Sequence, residues 1–103
     1  MGKYGVNGKL MAQPGQGPQL LELLLQAAEG MADVAGCDCY IVGTNADEPD
    51  SVWVYEVWHD QAAHRASLAL PVFQRLIEQA RPLLAGMENY PELQVRGGKA
   101  QAL

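Results

Sequence analysis

The 103-residue sequence lacks both a long apolar run and a cluster of basic residues. No stretch approaches the roughly 18 consecutive apolar residues of a membrane-spanning helix. The N-terminus leads into a strand-like pattern without the apolar segment of a signal peptide. Seven Lys and Arg residues against twelve Asp and Glu residues give a net charge of −5, which argues against nucleic acid or an anionic membrane as the partner. These absences predict a cytoplasmic protein that binds neither nucleic acid nor a membrane.

Metal ligands and cofactor motifs are also scarce. Cys37 and Cys39 are the only cysteines, and on a strand they would point to the same face, too far apart for a relaxed disulfide. His59 and His64 are the only histidines, and a spacing of five does not place them on one helix face. No dinucleotide fingerprint, phosphate loop or zinc-protease motif occurs. The sequence therefore predicts no metal site, and the cysteines are interpreted as a pair of buried thiols.

Hydrophobic periodicity predicts alternating strands and helices. Residues 3–13 form a first strand, and an amphipathic helix follows between residues 18 and 31. Residues 37–44 and 51–58 are rich in β-branched and aromatic side chains, which predicts two further strands. A polar loop over residues 45–50 is expected to join them.

The second half of the chain predicts two short helices and a last strand. Asp60 is a plausible N-cap for a helix over residues 61–69. Pro71 interrupts this helix, and a second helical piece runs to about residue 80. Residues 87–95 are expected to form one edge strand.

The resulting order is β-α-β-β-α-β, which predicts an α+β, ferredoxin-like fold with an antiparallel sheet. A single domain is expected over residues 1–96, with a flexible tail over residues 97–103. The strand over residues 51–58 is apolar on both faces, whereas two helices can cover only one face of the sheet. A homodimer paired through the second face is expected, and a half-open ligand pocket on that face is the alternative. The same face could serve both as a dimer interface and as a ligand pocket.

Two residues at the end of the third strand are candidates for chemistry. Trp58 would give an aromatic substrate a flat apolar wall. His64 falls about one turn into the next helix, where the positive end of the helix dipole favours a neutral imidazole that accepts protons. The alternative is that Trp58 belongs to the core and His64 to the surface or an interface.

Three further residues are candidate substrate ligands. Asn7 is an amide in the middle of a strand, and it can both donate to and accept from a phenol or carbonyl oxygen. A solvated or interface position is the alternative for Asn7. Tyr55 is expected to contact the substrate, and Arg81, which precedes Pro82, could reach a pocket.

Several segments of the sequence resemble the antibiotic biosynthesis monooxygenase domain family. They are residues 4–10, Pro14-Gly15, residues 36–40, and the run from Tyr55 to Trp58 that leads to His64 and Pro71. The resemblance spans about residues 3–95. It implies a ferredoxin-like subunit that pairs through its sheet into a dimeric α+β barrel.

The family includes quinol monooxygenases that oxidise hydroxylated aromatics with molecular oxygen and without flavin, haem or metal. The resemblance implies no cofactor, a cavity lined by Trp58, His64 as base or hydrogen-bond partner, and Asn7 holding the substrate oxygen. A non-catalytic ligand-binding or stress protein of the same fold is the alternative. Haem-degrading relatives also use an Asn on the first strand, together with a Trp and a His on the second helical region. Here residues 60–85 contain no Trp, and no His follows His64. This difference disfavours haem degradation.

Overall fold

The computed structural model describes residues 3–99. Within them, strands and helices follow in the order β1 (Lys3–Ala12), α1 (Gly17–Gly30), β2 (Cys37–Asn45), β3 (Glu48–Trp58), α2 (Gln61–Ser67), α3 (Pro71–Ala80), β4 (Leu84–Asn89) and β5 (Leu93–Val95). Short 3₁₀ segments follow α1 at Met31–Asp33 and α3 at Arg81–Leu83. The antiparallel sheet has the order β2-β3-β1-β4, and β5 also pairs with β1. The predicted ferredoxin-like α+β fold is confirmed.

The helices cover one face of the sheet and build the hydrophobic core there. Leu20 and Leu24 of α1 expose 0% and 2% of their surface, because the apolar stripe of this helix faces the sheet. They pack with Val52 and Val54 of β3 and with Leu76 of α3. Each buried leucine contributes roughly 2 kcal/mol through the hydrophobic effect. The side of the sheet that carries Val52 and Val54 is called the covered face below.

The other side, called the open face, has no helix packed on it in the described part of the chain. Because side chains alternate along a strand, Trp53 and Tyr55 of β3 lie on this face. The register places Lys9 opposite Trp53 and Asn7 opposite Tyr55. The Lys9 ammonium lies 5.4 Å from the centroid of the Trp53 ring. Ile41 of β2 pairs with Tyr55 on its other side and remains 56% exposed. The open face thus combines aromatic and aliphatic side chains with the Asn7 amide and the Lys9 ammonium.

The start of α1 is capped by a residue from a different part of the chain. Gln16 occupies the N-cap position but makes no side-chain cap. The Asp50 carboxylate of β3 instead accepts hydrogen bonds from the backbone N–H groups of Gly15 and Gly17, both at 3.0 Å. A Cβ at Gly17 would collide with the Pro49 carbonyl oxygen, so only glycine allows this close approach. The cap fixes α1 against the β2–β3 hairpin.

A tight turn joins β2 and β3 in place of the predicted loop over residues 45–50. Asn45 pairs with Glu48, and the Asn45 side-chain oxygen accepts a hydrogen bond from the backbone N–H of Asp47 at 2.9 Å. This local bond closes the turn, so β3 already begins at Glu48. The predicted loop was wrong because polar residues at the end of a hairpin can pair as strand residues.

The predicted last strand over residues 87–95 is divided into two strands. The first, β4, begins earlier than expected, at Leu84, and ends at Asn89. The second, β5, is short, and both strands pair with the same edge of β1. Pro91 lies between them, and it cannot continue the ladder because it has no N–H donor.

The two cysteines do not have the expected relative orientation. A register shift in β2 lies between them, and Cys37 and Cys39 pair with the adjacent residues Trp58 and Val57. Their side chains therefore point to opposite faces rather than to the same face. Both thiols are free and half-buried, and burial raises the pKa of each. A raised pKa leaves little reactive thiolate, so these thiols fit a packing role.

The chain continues past β5 without regular secondary structure over residues 96–99. The rest of the predicted tail, residues 100–103, lies outside the described residues. None of the helices between residues 3 and 99 combines the length and the apolar composition required to span a bilayer.

Candidate functional site

His64 sits on the covered face in a cluster of three rings, called the aromatic cluster below. Its imidazole centroid lies 5.5 Å from the Tyr4 ring and 5.7 Å from the Trp58 ring, with an interplanar angle of 62° to the indole. Tyr4 and Trp58 are partners across β1 and β3. Asp60 occupies the N-cap position of α2, where its carboxylate accepts a hydrogen bond from the Ala63 N–H at 2.8 Å. Asp60 is therefore the predicted N-cap.

The environment of His64 favours the neutral imidazole. Burial lowers the pKa of His64 below its ordinary value, and the nearby Glu92 carboxylate opposes this effect. The physical cause differs from the one inferred from sequence. α2 has only seven residues and His64 lies in its last turn, so the N-terminal dipole is not what acts on it. A neutral imidazole at physiological pH can accept a proton.

Trp58 forms the buried wall behind His64. Its side chain is completely inaccessible to solvent, and its indole Nε1 donates a hydrogen bond to Glu56 Oε1 at 3.0 Å. The indole thus has its one polar group satisfied while its edge packs against the imidazole. Trp58 is therefore both a core residue and a contact of His64.

Glu56 is a residue of this region that sequence reasoning left without a role. It is half-buried on the covered face, paired with Tyr40 on one side and Val6 on the other. Burial raises the pKa of Glu56, and the hydrogen bond from Trp58 partly opposes the rise. Burial also raises the pKa of Tyr40, with a smaller contribution from Glu56. The sequence signal was a single carboxylate, with the same parity as Val54, in the largely apolar run over residues 51–58.

A cavity of about 530 Å³ adjoins the aromatic cluster at Tyr4. A hydrogen bond to Glu92 is the main cause that raises the pKa of the Tyr4 phenol. The cavity holds cations and carboxylates in equal number; its charged lining residues are Lys3, Arg96, Asp60 and Glu92. It has room for a small aromatic molecule next to the ring that contacts His64.

A second cavity, of about 440 Å³, lies on the open face. Asn7 and Tyr55 are directly opposite each other across β1 and β3 and line it together. Trp53, Ile41 and Tyr90 complete most of its wall. The Asn7 amide and the Tyr55 phenol are two of the polar groups of this cavity that could orient a bound oxygen atom.

The sheet separates the predicted site residues into two pairs. Asn7 and Tyr55 share the open face, whereas Trp58 and His64 share the covered face. One small molecule in one subunit cannot contact both Asn7 and His64, because the sheet lies between them. Arg81 is exposed at the end of α3 and lines neither cavity. In residues 3–99 no group of three or more His, Cys, Asp or Glu side chains is arranged to hold a metal ion.

A family model and one solved structure indicate the same family. A family model described as antibiotic biosynthesis monooxygenase matches residues 3–79. A crystal structure from Chloroflexus aurantiacus, described as a candidate antibiotic biosynthesis monooxygenase, is 37% identical, covers 95% of this chain and 97% of its own, and has a TM-score of 0.85. A candidate of the same description from Deinococcus radiodurans is 23% identical over 94% of both chains, with a TM-score of 0.78.

A protein of unknown function from Nitrosomonas europaea shares the fold as well. It is 22% identical, the superposition covers 97% of this chain and 95% of that one, and the TM-score is 0.82. None of the curated proteins compared with the chain matches it. The low identity of the second and third structures limits them to evidence about the fold.

Proposed function

The chain belongs to the antibiotic biosynthesis monooxygenase family, and from this membership we propose that it is a cofactor-independent monooxygenase acting on a small hydroxylated aromatic. The observation that carries the proposal is the position of His64. Its imidazole is held against Tyr4 and Trp58, burial lowers its pKa, and a cavity large enough for a small aromatic lies beside Tyr4. These features place a base behind Tyr4, the one aromatic residue that lines a largely polar cavity.

The proposed reaction starts with proton transfer to the neutral imidazole of His64. The proton comes from a quinol hydroxyl or from the activated ring carbon of an anthrone-like substrate. The resulting anion is electron-rich and transfers electrons to molecular oxygen directly. When a ring CH₂ becomes a carbonyl, one oxygen atom enters the product, and the other leaves as water with the two hydrogens. The substrate supplies all four electrons that reduce O₂, so no external reductant is needed and the protein has to provide only the base and the cavity.

The substrate is proposed to lie on the covered face, at the cavity that adjoins Tyr4. In this arrangement Trp58 supports His64 from behind, and the Tyr4 ring is the surface shared by the imidazole and the cavity. Asn7 and Tyr55 then serve a different purpose, because they lie on the open face. They remain candidates for holding a substrate oxygen only if the substrate binds in the open-face cavity.

A second copy of the chain is proposed to cover the open face, giving a homodimer paired through its sheets. This proposal is supported by Ile41, which is 56% exposed, and by the half-buried rings of Trp53 and Tyr55 beside it. Contiguous apolar surface of this kind marks protein interfaces in soluble proteins. The open-face cavity would then be enclosed between two subunits.

The proposed location is the cytoplasm, as the sequence predicts. The free thiols of Cys37 and Cys39 agree with a reducing compartment.

Oxygen uptake by the purified, chelator-treated protein tests the proposed reaction. A panel of hydroquinones and anthrones is compared in the wild-type protein and in His64→Ala, Asn7→Ala and His59→Ala. His59 is exposed and lies outside the aromatic cluster, so His59→Ala is the matched control. We expect uptake in the wild type, a loss of about 100-fold in His64→Ala, consistent with removal of a general base, and little change in the other two variants.

Other outcomes of this experiment have definite meanings. Loss of activity in Asn7→Ala but not in His64→Ala would move the substrate to the open-face cavity. Uptake that depends on added metal or flavin would contradict cofactor independence. No uptake above autoxidation, together with ligands that raise the melting temperature without being consumed, would favour a binding protein.

A further inference from the structure

Glu56 is a carboxylate in a place that normally excludes one. It lies on the covered face, half-buried, between the cross-strand neighbours Tyr40 and Val6. Removing a carboxylate from water is costly unless a specific partner compensates. Its hydrogen-bond partner is Trp58, whose indole Nε1 lies 3.0 Å from Glu56 Oε1. Replacing Glu56 by an apolar residue would remove the desolvation cost, so its presence calls for a role.

The Trp58 indole is the link between Glu56 and His64. Trp58 is completely buried and has one polar group, the Nε1–H, which donates to Glu56. The same ring meets the imidazole of His64 edge-on, with centroids 5.7 Å apart. Without an acceptor the buried N–H would be unsatisfied, and rotation of the ring toward another partner would disturb the surface on which His64 packs.

From these contacts we propose that Glu56 is a positioning residue, which fixes the Trp58 indole and through it the imidazole of His64. The effect is mechanical, because the carboxylate that acts directly on the titration of His64 is Glu92. The proposal rests on His64 being the base of the proposed reaction. Its structural part, the control of the imidazole environment by an acceptor at position 56, does not depend on turnover.

Two variants separate the hydrogen-bond acceptor from the charge. Glu56→Gln keeps a side-chain oxygen that can accept from Trp58, whereas Glu56→Leu is similar in size and has no acceptor. The titration of His64 is followed by NMR of the imidazole protons. The chain contains only two histidines, so a His59→Gln variant assigns the signals. The emission of Trp58 is recorded in a Trp53→Phe background, since these are the only two tryptophans.

We expect Glu56→Gln to retain the wild-type His64 titration, Trp58 emission and kcat to within about threefold. In Glu56→Leu the imidazole packing loosens, so the His64 pKa moves up toward its ordinary value by about 0.5 unit or more. The Trp58 emission shifts, and kcat falls about tenfold with a smaller change in KM, because the base is misplaced rather than the substrate lost.

Three results would overturn the proposal. Loss of kcat in Glu56→Gln as severe as in Glu56→Leu would make the charge itself the functional feature. An unchanged His64 titration in Glu56→Leu would remove the link to His64. If Glu56→Leu does not fold, Trp58→Phe removes the donor and keeps a ring against His64, and an unchanged titration there counts equally against the proposal. A protein without oxygenase activity would refute the proposed function, while the NMR and emission data would still decide the role of Glu56.

Discussion

Tyr4 and Trp58 are directly paired across β1 and β3, and the imidazole of His64 contacts both rings. The two strands therefore form an aromatic surface against which His64 of α2 packs. Because backbone pairing brings the two rings together, the position of His64 depends on the register of the sheet as well as on α2. A change in the β1–β3 register or in the position of α2 would therefore move the imidazole.

The stability of the protein should decrease as the pH is lowered through the range in which His64 takes up a proton. The folded pKa of His64 lies below its unfolded value of about 6.5, so the unfolded chain binds more protons once the pH drops below that value. Unfolding therefore becomes easier as the pH falls through this range. We expect His64→Gln to lose this part of the pH dependence, measured by urea unfolding between pH 7.5 and pH 5. Identical slopes in the two proteins would contradict the burial of a neutral imidazole.

Glu56→Gln should stabilise the protein at neutral pH. Burial raises the pKa of Glu56 in the folded state. The protonated side chain therefore contributes to stability below the unfolded pKa, and this contribution is lost as the pH rises through the folded pKa. Glutamine removes the ionised carboxylate and keeps an acceptor for Trp58. We expect a gain in the free energy of unfolding at pH 7 that disappears at about pH 4.

The exposed Glu29 of α1 provides the matched control for this substitution. Glu29→Gln should change the free energy of unfolding by less than about 0.5 kcal/mol at either pH. A Glu56→Gln variant that is less stable than the wild type at pH 7 would mean that the ionised carboxylate is favourable where it is.

Ile41→Asp should dissociate the proposed dimer without unfolding the subunit. Ile41 is 56% exposed on the open face, where a charge would be buried by a second copy. Leu25, which is 41% exposed on α1, gives the control variant Leu25→Asp. We expect sedimentation to show a wild-type dimer, a dissociation constant raised at least about tenfold in Ile41→Asp, equivalent to about 1.4 kcal/mol, and no change in Leu25→Asp. Dissociation by Leu25→Asp alone would place the interface on the helices.

Asp60→Ala should weaken both the fold and the site. The Asp60 carboxylate caps α2 through the Ala63 N–H, and loss of such a cap costs about 0.5–2 kcal/mol. α2 has only seven residues, so fraying of its first turn reaches His64. Asp60→Asn retains a capping oxygen and should behave like the wild type. Calorimetry and the NMR signals of His64 would detect the difference, and equal stability of the two variants would show that the cap is unimportant.

The order of elements could be predicted from the sequence because each element carries its own periodicity. The spacing of the leucines in α1 indicates a helix. The cap at Asp60 and the proline at Pro71 mark where α2 and α3 begin. The turn at Ala46-Asp47 could not be predicted in the same way. The side-chain bond from Asp47 N–H to Asn45 that closes it is a matter of geometry, and the residues involved are equally common in longer loops.

The arrangement of the candidate site was less accessible to sequence reasoning. β3 is apolar on both faces, so its pattern does not reveal which face the helices cover. Strand alternation does predict that Trp58 and Tyr55 lie on opposite sides of the sheet, but it does not reveal which of the two sides holds the substrate. The register that places Asn7 opposite Tyr55, and Tyr4 opposite Trp58, is set by the long-range pairing of β1 with β3. A single sequence contains no direct record of this register.

The cap that Asp50 provides for α1 also links the opening motions of two elements. The amide hydrogens of Gly15 and Gly17 are held by a carboxylate that lies more than 30 positions further along the chain. We expect exchange of these hydrogens with solvent to be slowed while Asp50 holds the start of α1 against the β2–β3 hairpin. Fraying of the helix at this end breaks its bonds to the hairpin, so we expect the opening of the two elements to be coupled in local unfolding.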